Sequence, residues 1–156
     1  MNNKKKKNRS RIYVCHTLYH VYVSLLKEMN RKDGKNEKAD IALSKVFMDF
    51  GDLDKRLQAA GVFDRVLSLD ERRAEDFPKL MKYKKNHKHI VKHMINRIVF
   101  TKKLGRLQEN FFDIDFTEYQ DIYVFCDSDP IGYYLNYRHI YYHAVEDGLD
   151  CLKNFD

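Results

Sequence analysis

The apolar residues along the chain alternate between short runs of strand length and longer stretches with helical spacing. The short runs are rich in β-branched and aromatic residues, and they cover 11–16, 39–46, 62–69, 121–126 and 140–146. Helical patterns lie between them, after the N-cap candidate Thr17, over 51–60 before the C-cap candidate Gly61, over 71–110, and over about 129–137. This alternation predicts an α/β fold in which helices flank a Rossmann-like parallel sheet.

The longest helical pattern, 71–110, begins next to Asp70 and Glu71, and acidic side chains suit the positive first turn of a helix. Pro78 predicts a break into two helices. The second of these carries apolar residues at helical spacing, namely Ile90, Val91, Met94, Ile95, Ile98 and Val99.

Polar residues stand at the carboxyl ends of three predicted strands. They are His-Thr at 16–17, Asp-Ser-Asp at 127–129 and Glu-Asp-Gly at 146–148. Parallel strands bring their carboxyl ends to one edge of the sheet, where the ligands of open α/β folds bind. We therefore expect the three segments to share one site. The glycine-rich signatures of dinucleotide and triphosphate sites do not occur in the sequence.

The composition is that of one globular unit. With 156 residues, 44% of them apolar, the chain can bury one core, and we expect a single domain over 11–156 after a basic, flexible tail over 1–10. The sequence has no apolar run of membrane-spanning length and no signal-peptide pattern. The three cysteines have no CxxC spacing, which suits reduced, buried thiols. These features predict a cytoplasmic protein.

The net charge of +6 is concentrated in one segment. Between Phe77 and Gln108 there are ten Lys or Arg residues and no Asp or Glu. One interpretation is a solvated helix face above a core stripe. Another is a basic amphipathic helix over 79–106 that binds an anionic membrane surface, which would make the protein peripheral at the inner membrane face. The sequence contains no recognisable nucleic-acid-binding module, so we expect no nucleic acid partner.

The triplet Glu146-Asp147-Gly148 can supply a general base. Gly148 allows the chain to turn just after a strand, so that a preceding carboxylate is presented at the sheet edge. Adjacent side chains of a strand point to opposite faces, so one acid can face a substrate while the other makes structural hydrogen bonds. Asp-Gly pairs are also common in turns, and a loop with solvated acids is the alternative.

Asp127 and Asp129 form a second acidic pair. A D-x-D after an apolar strand is how GT-A glycosyltransferases hold a divalent metal on a nucleotide-sugar diphosphate, because hard cations prefer carboxylate oxygens. The alternative is structural, since Asp129 precedes Pro130 as an N-cap precedes a proline at the first helical position. Histidines recur at i, i+4, but no nearby acid or cysteine completes a ligand set, so we expect no metal.

The stretch 14–20, VCHTLYH, resembles the strand-to-helix turn with a T-P-Y-H or T-P-Y-Q core in bacterial sialyltransferases of glycosyltransferase family 52 and the related polysialyltransferases. These enzymes also carry a D/E-D/E-G motif at the end of a later strand, which 146–148 matches. Leu18 stands where the family usually has proline, and the His-Pro motif of the family's second domain is absent. The resemblance implies the N-terminal, acceptor-side half of a GT-B glycosyltransferase, which a C-terminal domain would complete.

The resemblance also implies an activity. It is the inverting, metal-independent transfer of a sugar from CMP-sialic acid to a glycan hydroxyl, in the synthesis of surface polysaccharide or lipooligosaccharide. Asp147 would be the general base and Glu146 would support its loop. The other candidate substrate contacts at this edge are His16, Thr17, Tyr19, His20, Gly148, Asp127 and Asp129. The donor is a substrate, and no cofactor is implied.

Two other functions fit the same sequence. A GT-A-like transferase would depend on a metal ion held by Asp127 and Asp129. A non-catalytic domain would bind an anionic membrane or polymer through its basic helix. For the leading interpretation, we expect the chain alone to be inactive and to form a homodimer through the cleft face that a second domain would cover.

Overall fold

The computed structural model describes residues 8–31, 37–46, 48–84 and 90–145. This part of the chain contains one parallel sheet of five strands. The strands are β1 (Arg9–Cys15), β2 (Asp40–Ser44), β3 (Val66–Leu69), β4 (Tyr119–Val124) and β5 (His143–Ala144). Their order across the sheet is β3-β2-β1-β4-β5, the order of the Rossmann fold. The predicted Rossmann-like α/β fold is confirmed.

Helices connect and flank these strands. Within the described residues they are α1 (Leu18–Met29), α2 (Leu53–Ala60), α3 (Met81–Lys84), α4 (Ile90–Gln108) and α5 (Pro130–Tyr137). Short 3-10 turns cover Ala74–Asp76, Pro78–Leu80 and Phe116–Glu118. Both predicted caps are confirmed, because the Thr17 hydroxyl accepts a hydrogen bond from the His20 amide and Gly61 ends α2 with a φ of 64°.

The central strand β1 separates two hydrophobic cores, because successive side chains of a strand point to opposite faces. Ile12 and Val14 lie in the core that α5 covers. Tyr13 and Cys15 lie in the opposite core, with residues of α1 and α2. All residues of β2 are buried as well. Because apolar side chains cover both faces of the sheet, its polar groups lie at the two edges where the strands begin and end.

Cys15 is a buried free thiol, as predicted. Burial raises the pKa of this thiol to about 12, so that it stays protonated at neutral pH. Cys126 is a free thiol that is only partly buried, and Cys151 lies outside the described residues. The Cys15 thiol therefore acts as a small apolar side chain of the core.

The sequence prediction is wrong in several places. Among the described residues, the strand predicted over 140–146 covers only His143–Ala144. The strand predicted over 62–69 begins only at Val66, because 62–65 form the turn that returns the chain from α2 to the sheet. The helix predicted from residue 71 does not begin there either. The Arg72 amide donates to Oε1 of Gln108 (3.0 Å), and the Arg72 carbonyl accepts from Nε2 of Gln108 (2.8 Å). A side-chain amide thus satisfies the backbone of this non-helical segment.

The amino edge of the sheet contains a buried carboxylate, Asp40. It accepts hydrogen bonds from Nε of Arg9 (2.8 Å), Nη2 of Arg65 (2.8 Å) and the hydroxyl of Tyr119 (2.7 Å). Burial by itself would raise the pKa of Asp40, but these hydrogen bonds outweigh it and hold the pKa below its ordinary value. The cluster joins β1, β2 and β4 to the segment before β3, and Asp40 is the acceptor that its members share.

Candidate functional site

The carboxyl edge of the sheet contains the point at which the strand order reverses. From β1 the chain first builds β2 and β3 on one side, and later β4 and β5 on the other. In sheets of this kind the loops after the two strands at the reversal diverge and leave a crevice between them. Here these are the loop after β1, residues 16–17, and the loop after β4, residues 125–129.

A buried glutamate, Glu71, lies at this edge, and its side chain has no exposed surface. Its Oε2 atom is 2.8 Å from Nε2 of His16 and accepts a hydrogen bond from the Ser44 hydroxyl at 2.9 Å. Its Oε1 atom accepts from the backbone amide of Ile131 at 3.1 Å. The tautomer in which Nε2 of His16 carries the hydrogen can donate to this carboxylate.

The contacts of Glu71 join four segments of the chain. Its partners come from the end of β1, the end of β2 and the first turn of α5, while Glu71 itself follows β3. The first amides of a helix have no partner within the helix and attract negative charge. Glu71 therefore caps α5 from a distance, and one carboxylate fixes the position of the loops on both sides of the crevice.

Asp129 occupies the N-cap position of α5, as predicted, but its side chain makes no capping hydrogen bond. Its Oδ2 atom instead lies 3.7 Å from Nε2 of His16, and the side chain keeps 13% of its surface exposed. The His16 ring therefore lies between a fully buried carboxylate, Glu71, and a partly exposed one. Both carboxylates approach the same nitrogen, Nε2, and this arrangement can stabilise a positive charge on the imidazole.

Gly132 allows this geometry. A Cβ atom at this position would overlap the carbonyl group of Asp127. The first turn of α5 can therefore pack directly on the backbone of the preceding loop only because residue 132 has no side chain.

His20 stabilises the turn after β1. Its Nδ1 atom accepts a hydrogen bond from the His16 amide (3.1 Å), and its ring stacks on Phe125 with the centroids 4.5 Å apart. His16 and His20 are both buried, whereas Tyr19 is 49% exposed. His20 is thus placed to hold the turn, and Tyr19 is placed to contact a molecule outside the sheet edge.

A pocket of about 280 Å³ opens beside Asp129, between the loop after β4, the helix α4 and the first 3-10 turn. Its lining includes Arg73, Glu75, Phe100, Ser128, Asp129 and Tyr133. Charged groups combined with aromatic rings can bind a polar ring such as a sugar, because the rings cover its apolar face while the charges bond its hydroxyls.

Several predicted site residues therefore come together. His16 and Asp129 are neighbours, and Thr17 and His20 belong to the same turn as His16. Asp127 is exposed in the facing loop. The predicted catalytic pair Glu146 and Asp147, with Gly148, lies outside the described residues.

Sequence reasoning missed Glu71 and Ser44, which belong to the same edge. Glu71 follows the third predicted strand, as Asp127 follows the fourth, so the rule that selected 16–17 and 127–129 also applies to it. The acid-rich start of the 71–110 pattern pointed to a helix N-terminus instead. Ser44 gave no signal, because a serine within an apolar run is ordinary for a strand end.

Among the described residues, no group of three or more His, Cys, Asp or Glu side chains is arranged to hold a metal ion. Within the same ranges, none of the helices combines the length and the apolar character needed to cross a membrane.

The fold and the site define a class: an α/β protein with a buried His-Glu pair at the switch point of a Rossmann-like sheet. Comparison of the chain with protein-family models, with curated proteins and with solved structures found no match.

Proposed function

We propose that this chain is the acceptor-side Rossmann-like domain of a sialyltransferase-like GT-B glycosyltransferase. Its reaction is the inverting transfer of a sugar from a CMP-sugar, with CMP-sialic acid as the expected donor, to a hydroxyl group of a glycan. A second domain completes the cleft and supplies the donor contacts. On its own, the chain is inactive.

The observation that carries the proposal is that β1 and β5 end at the same edge of the sheet. The turn over 16–20 follows β1, and Glu146-Asp147-Gly148 comes two residues after the last residue of β5 in the sequence. β1 and β5 both pair in parallel with β4, so their carboxyl ends lie at the same edge of the sheet. The turn over 16–20 thus lies at the edge at which Rossmann-like sheets bind ligands, and β5, which precedes the second motif in the sequence, ends at the same edge.

In the proposed reaction, the acceptor hydroxyl attacks the anomeric carbon of the donor sugar. The bond from that carbon to the phosphate oxygen of CMP breaks, and CMP leaves with the bonding electrons. Asp147 takes the proton of the attacking hydroxyl, a role that typically accelerates a reaction by about 100- to 10,000-fold. The configuration at the carbon inverts because the two oxygens lie on opposite sides of it.

Glu71 has a positioning role in this proposal. Its carboxylate holds the His16 ring and the first turn of α5 at fixed places on either side of the crevice. The predicted substrate contacts that keep exposed surface among the described residues are Thr17, Tyr19, Asp127 and Asp129. Fixed positions of such groups reduce the entropy lost when the acceptor binds.

The test is sialic acid transfer from CMP-sialic acid to a panel of galactosides, measured in EDTA with the full-length protein and its Asp147→Ala variant. We expect activity in EDTA and a loss of about 100-fold or more in the variant. Asp150→Ala, a change of the same kind three residues further on, is the matched control and should retain activity.

The same assay separates the competing functions. Activity that disappears in EDTA and returns with manganese would support a GT-A-like reaction at Asp127 and Asp129. Absence of turnover with every acceptor would contradict the proposed donor. Equal activity of the wild type and Asp147→Ala would contradict the assignment of the base.

A peripheral location belongs to the same proposal. An enzyme that extends a lipid-linked glycan meets its acceptor at the cytoplasmic face of the membrane. Fractionation of cells that produce the full-length protein, before and after a high-salt wash, tests this location, and we expect the protein to leave the membrane fraction in salt.

A further inference from the structure

The first turns of α4 carry a contiguous set of exposed aliphatic side chains. They are Ile90, Val91, Met94, Ile95 and Ile98, here named the apolar face of α4, and each is between 54% and 77% exposed. With 3.6 residues per turn, the five positions fall within an arc of about 140°. An apolar stripe of this kind on a soluble domain normally marks an interaction surface, because water is a poor solvent for it.

This face does not belong to the core of the protein. The buried residues of α4 all lie in its second half, and they are Phe100, Leu104, Gly105 and Gln108. The two apolar ones, Phe100 and Leu104, belong to a separate core cluster. The interpretation of the basic segment as a solvated face above a core stripe is therefore wrong for the five residues of the apolar face, which the first half of the helix exposes.

Cations flank the apolar face. From the helical period, Arg97 lies beside one border of the arc, and Lys92 and Arg106 lie beside the other. All three side chains are exposed, and α4 contains no acidic residue. Aliphatic side chains between basic borders are the pattern of helices that lie in the interface of an anionic bilayer, with the cations at the headgroups.

We propose that the apolar face of α4 docks onto an anionic lipid bilayer. The five aliphatic side chains enter the boundary between headgroups and acyl chains, and the flanking cations pair with lipid phosphates. The five side chains do not line the candidate pocket, and the proposal stands whether or not the chain belongs to a glycosyltransferase.

The charge pattern argues against the other occupants of this face. A second copy docked through the same face would bring two sets of cations together with no acid in either helix to offset them. Nucleic acid phosphates would engage the cations but leave the five aliphatic side chains in water. An anionic bilayer satisfies both groups at once.

The test is sedimentation of the protein with vesicles of phosphatidylglycerol and phosphatidylcholine, compared with vesicles of phosphatidylcholine alone. We expect binding to the anionic vesicles, weakened by high salt. The double variant Ile95→Gln with Ile98→Gln should bind at least about tenfold more weakly, because it removes two of the side chains that enter the acyl boundary.

The matched control is Leu26→Gln with Met29→Gln on α1. These side chains are also exposed and aliphatic, 40% and 71% respectively. The control should bind vesicles like the wild type. Equal loss of binding in both double variants would show that general hydrophobicity, and not the apolar face of α4, makes the contact, and would overturn the proposal.

A charge variant gives a second test on positions that do not affect the core. Lys92→Gln with Arg97→Gln should weaken binding to anionic vesicles by about fivefold for each charge removed. The control Lys55→Gln with Arg56→Gln, on α2, changes the net charge equally and should have less effect.

Failure of the wild type to sediment with anionic vesicles would overturn the proposal. So would a wild-type dimer that the Ile95→Gln, Ile98→Gln variant abolishes, because a second copy would then cover this face.

Discussion

Two buried carboxylates stand at opposite edges of the same sheet, and they are held in different ways. Asp40, at the amino edge, is bonded by the guanidinium groups of Arg9 and Arg65 and by a tyrosine hydroxyl. Glu71, at the carboxyl edge, is bonded by an imidazole, a serine hydroxyl and a helix amide. The Asp40 cluster contains permanent cations. In the described part of the chain, none of the partners of Glu71 is a permanent cation.

The difference fits a structural role for the amino edge and agrees with the functional role that we propose for the carboxyl edge. Permanent charges with hydrogen bonds give a strong, static cluster, and Asp40 holds strands together. The partners of Glu71 include the imidazole of His16, and a partly exposed aspartate, Asp129, lies beside that imidazole. The weaker cluster also lies at the edge where Rossmann-like sheets bind ligands.

The largest expected effect is on stability at the amino edge. Asp40→Ala leaves two arginines and a buried hydroxyl without their shared acceptor, and we expect the free energy of unfolding to fall by about 3–5 kcal/mol. Urea denaturation measures the change. The matched control is Asp64→Ala, since Asp64 also pairs with Arg9 but is 58% exposed, and it should cost less than about 1 kcal/mol. Similar losses in both variants would mean that burial does not distinguish Asp40.

At the carboxyl edge, Glu71→Gln should lower the free energy of unfolding by about 1–3 kcal/mol, because its amide presents hydrogens to groups that donate. We also expect the ring nitrogen shifts of His16 to change in NMR spectra, which a loss of stability alone would not cause. Asp70→Asn, at the exposed neighbouring position, is the control. Unchanged His16 shifts in Glu71→Gln would contradict the contact.

The contribution of Asp40 to the free energy of unfolding depends on pH. Its pKa is lowered in the folded state, so its stabilising contribution is complete above the unfolded-state pKa of about 3.9 and is lost as pH falls through the folded-state pKa. The stability difference between the wild type and Asp40→Ala should therefore shrink below about pH 4, by at most about 1.4 kcal/mol per pH unit. Denaturation curves over this range measure it. A difference that grows in acid would contradict the sign.

The smallest effects come from removing one hydroxyl donor at each edge. Tyr119→Phe takes a donor from Asp40 and Ser44→Ala takes one from Glu71, and each should cost about 1 kcal/mol of stability. The two changes should differ in function. In the full-length protein, we expect Ser44→Ala to reduce transferase activity per folded molecule, and Tyr119→Phe to leave it unchanged.

The sequence predicted those features that depend on local signals. Thr17 and Gly61 cap their helices as expected, and the apolar runs mark all five strands, because capping and side-chain alternation act over a few residues. Glu71 depends instead on groups 27 to 60 residues away in the chain. The neighbouring backbone of Arg72 depends on Gln108 in the same way. No local pattern encodes such partners, and the prediction that a helix begins at residue 71 failed for that reason.

The apolar face of α4 shows the same limit of prediction from local sequence patterns. Helical spacing placed Ile90, Met94 and Ile98 on one face correctly, since periodicity is local. Helical spacing does not show whether that face packs against a core, because the packing depends on where α5 and the 3-10 turns lie. In the structure those elements cover Phe100 and Leu104 instead.

The most direct test of the functional edge compares His16→Ala with Tyr119→Phe in the full-length protein, as transfer from CMP-sialic acid per folded molecule. If the carboxyl edge is the site, His16→Ala should lower kcat/KM by at least about tenfold, which corresponds to about 1.4 kcal/mol, while Tyr119→Phe stays within about twofold of the wild type. Equal losses in the two variants, after correction for the folded fraction, would contradict the assignment of function to the carboxyl edge.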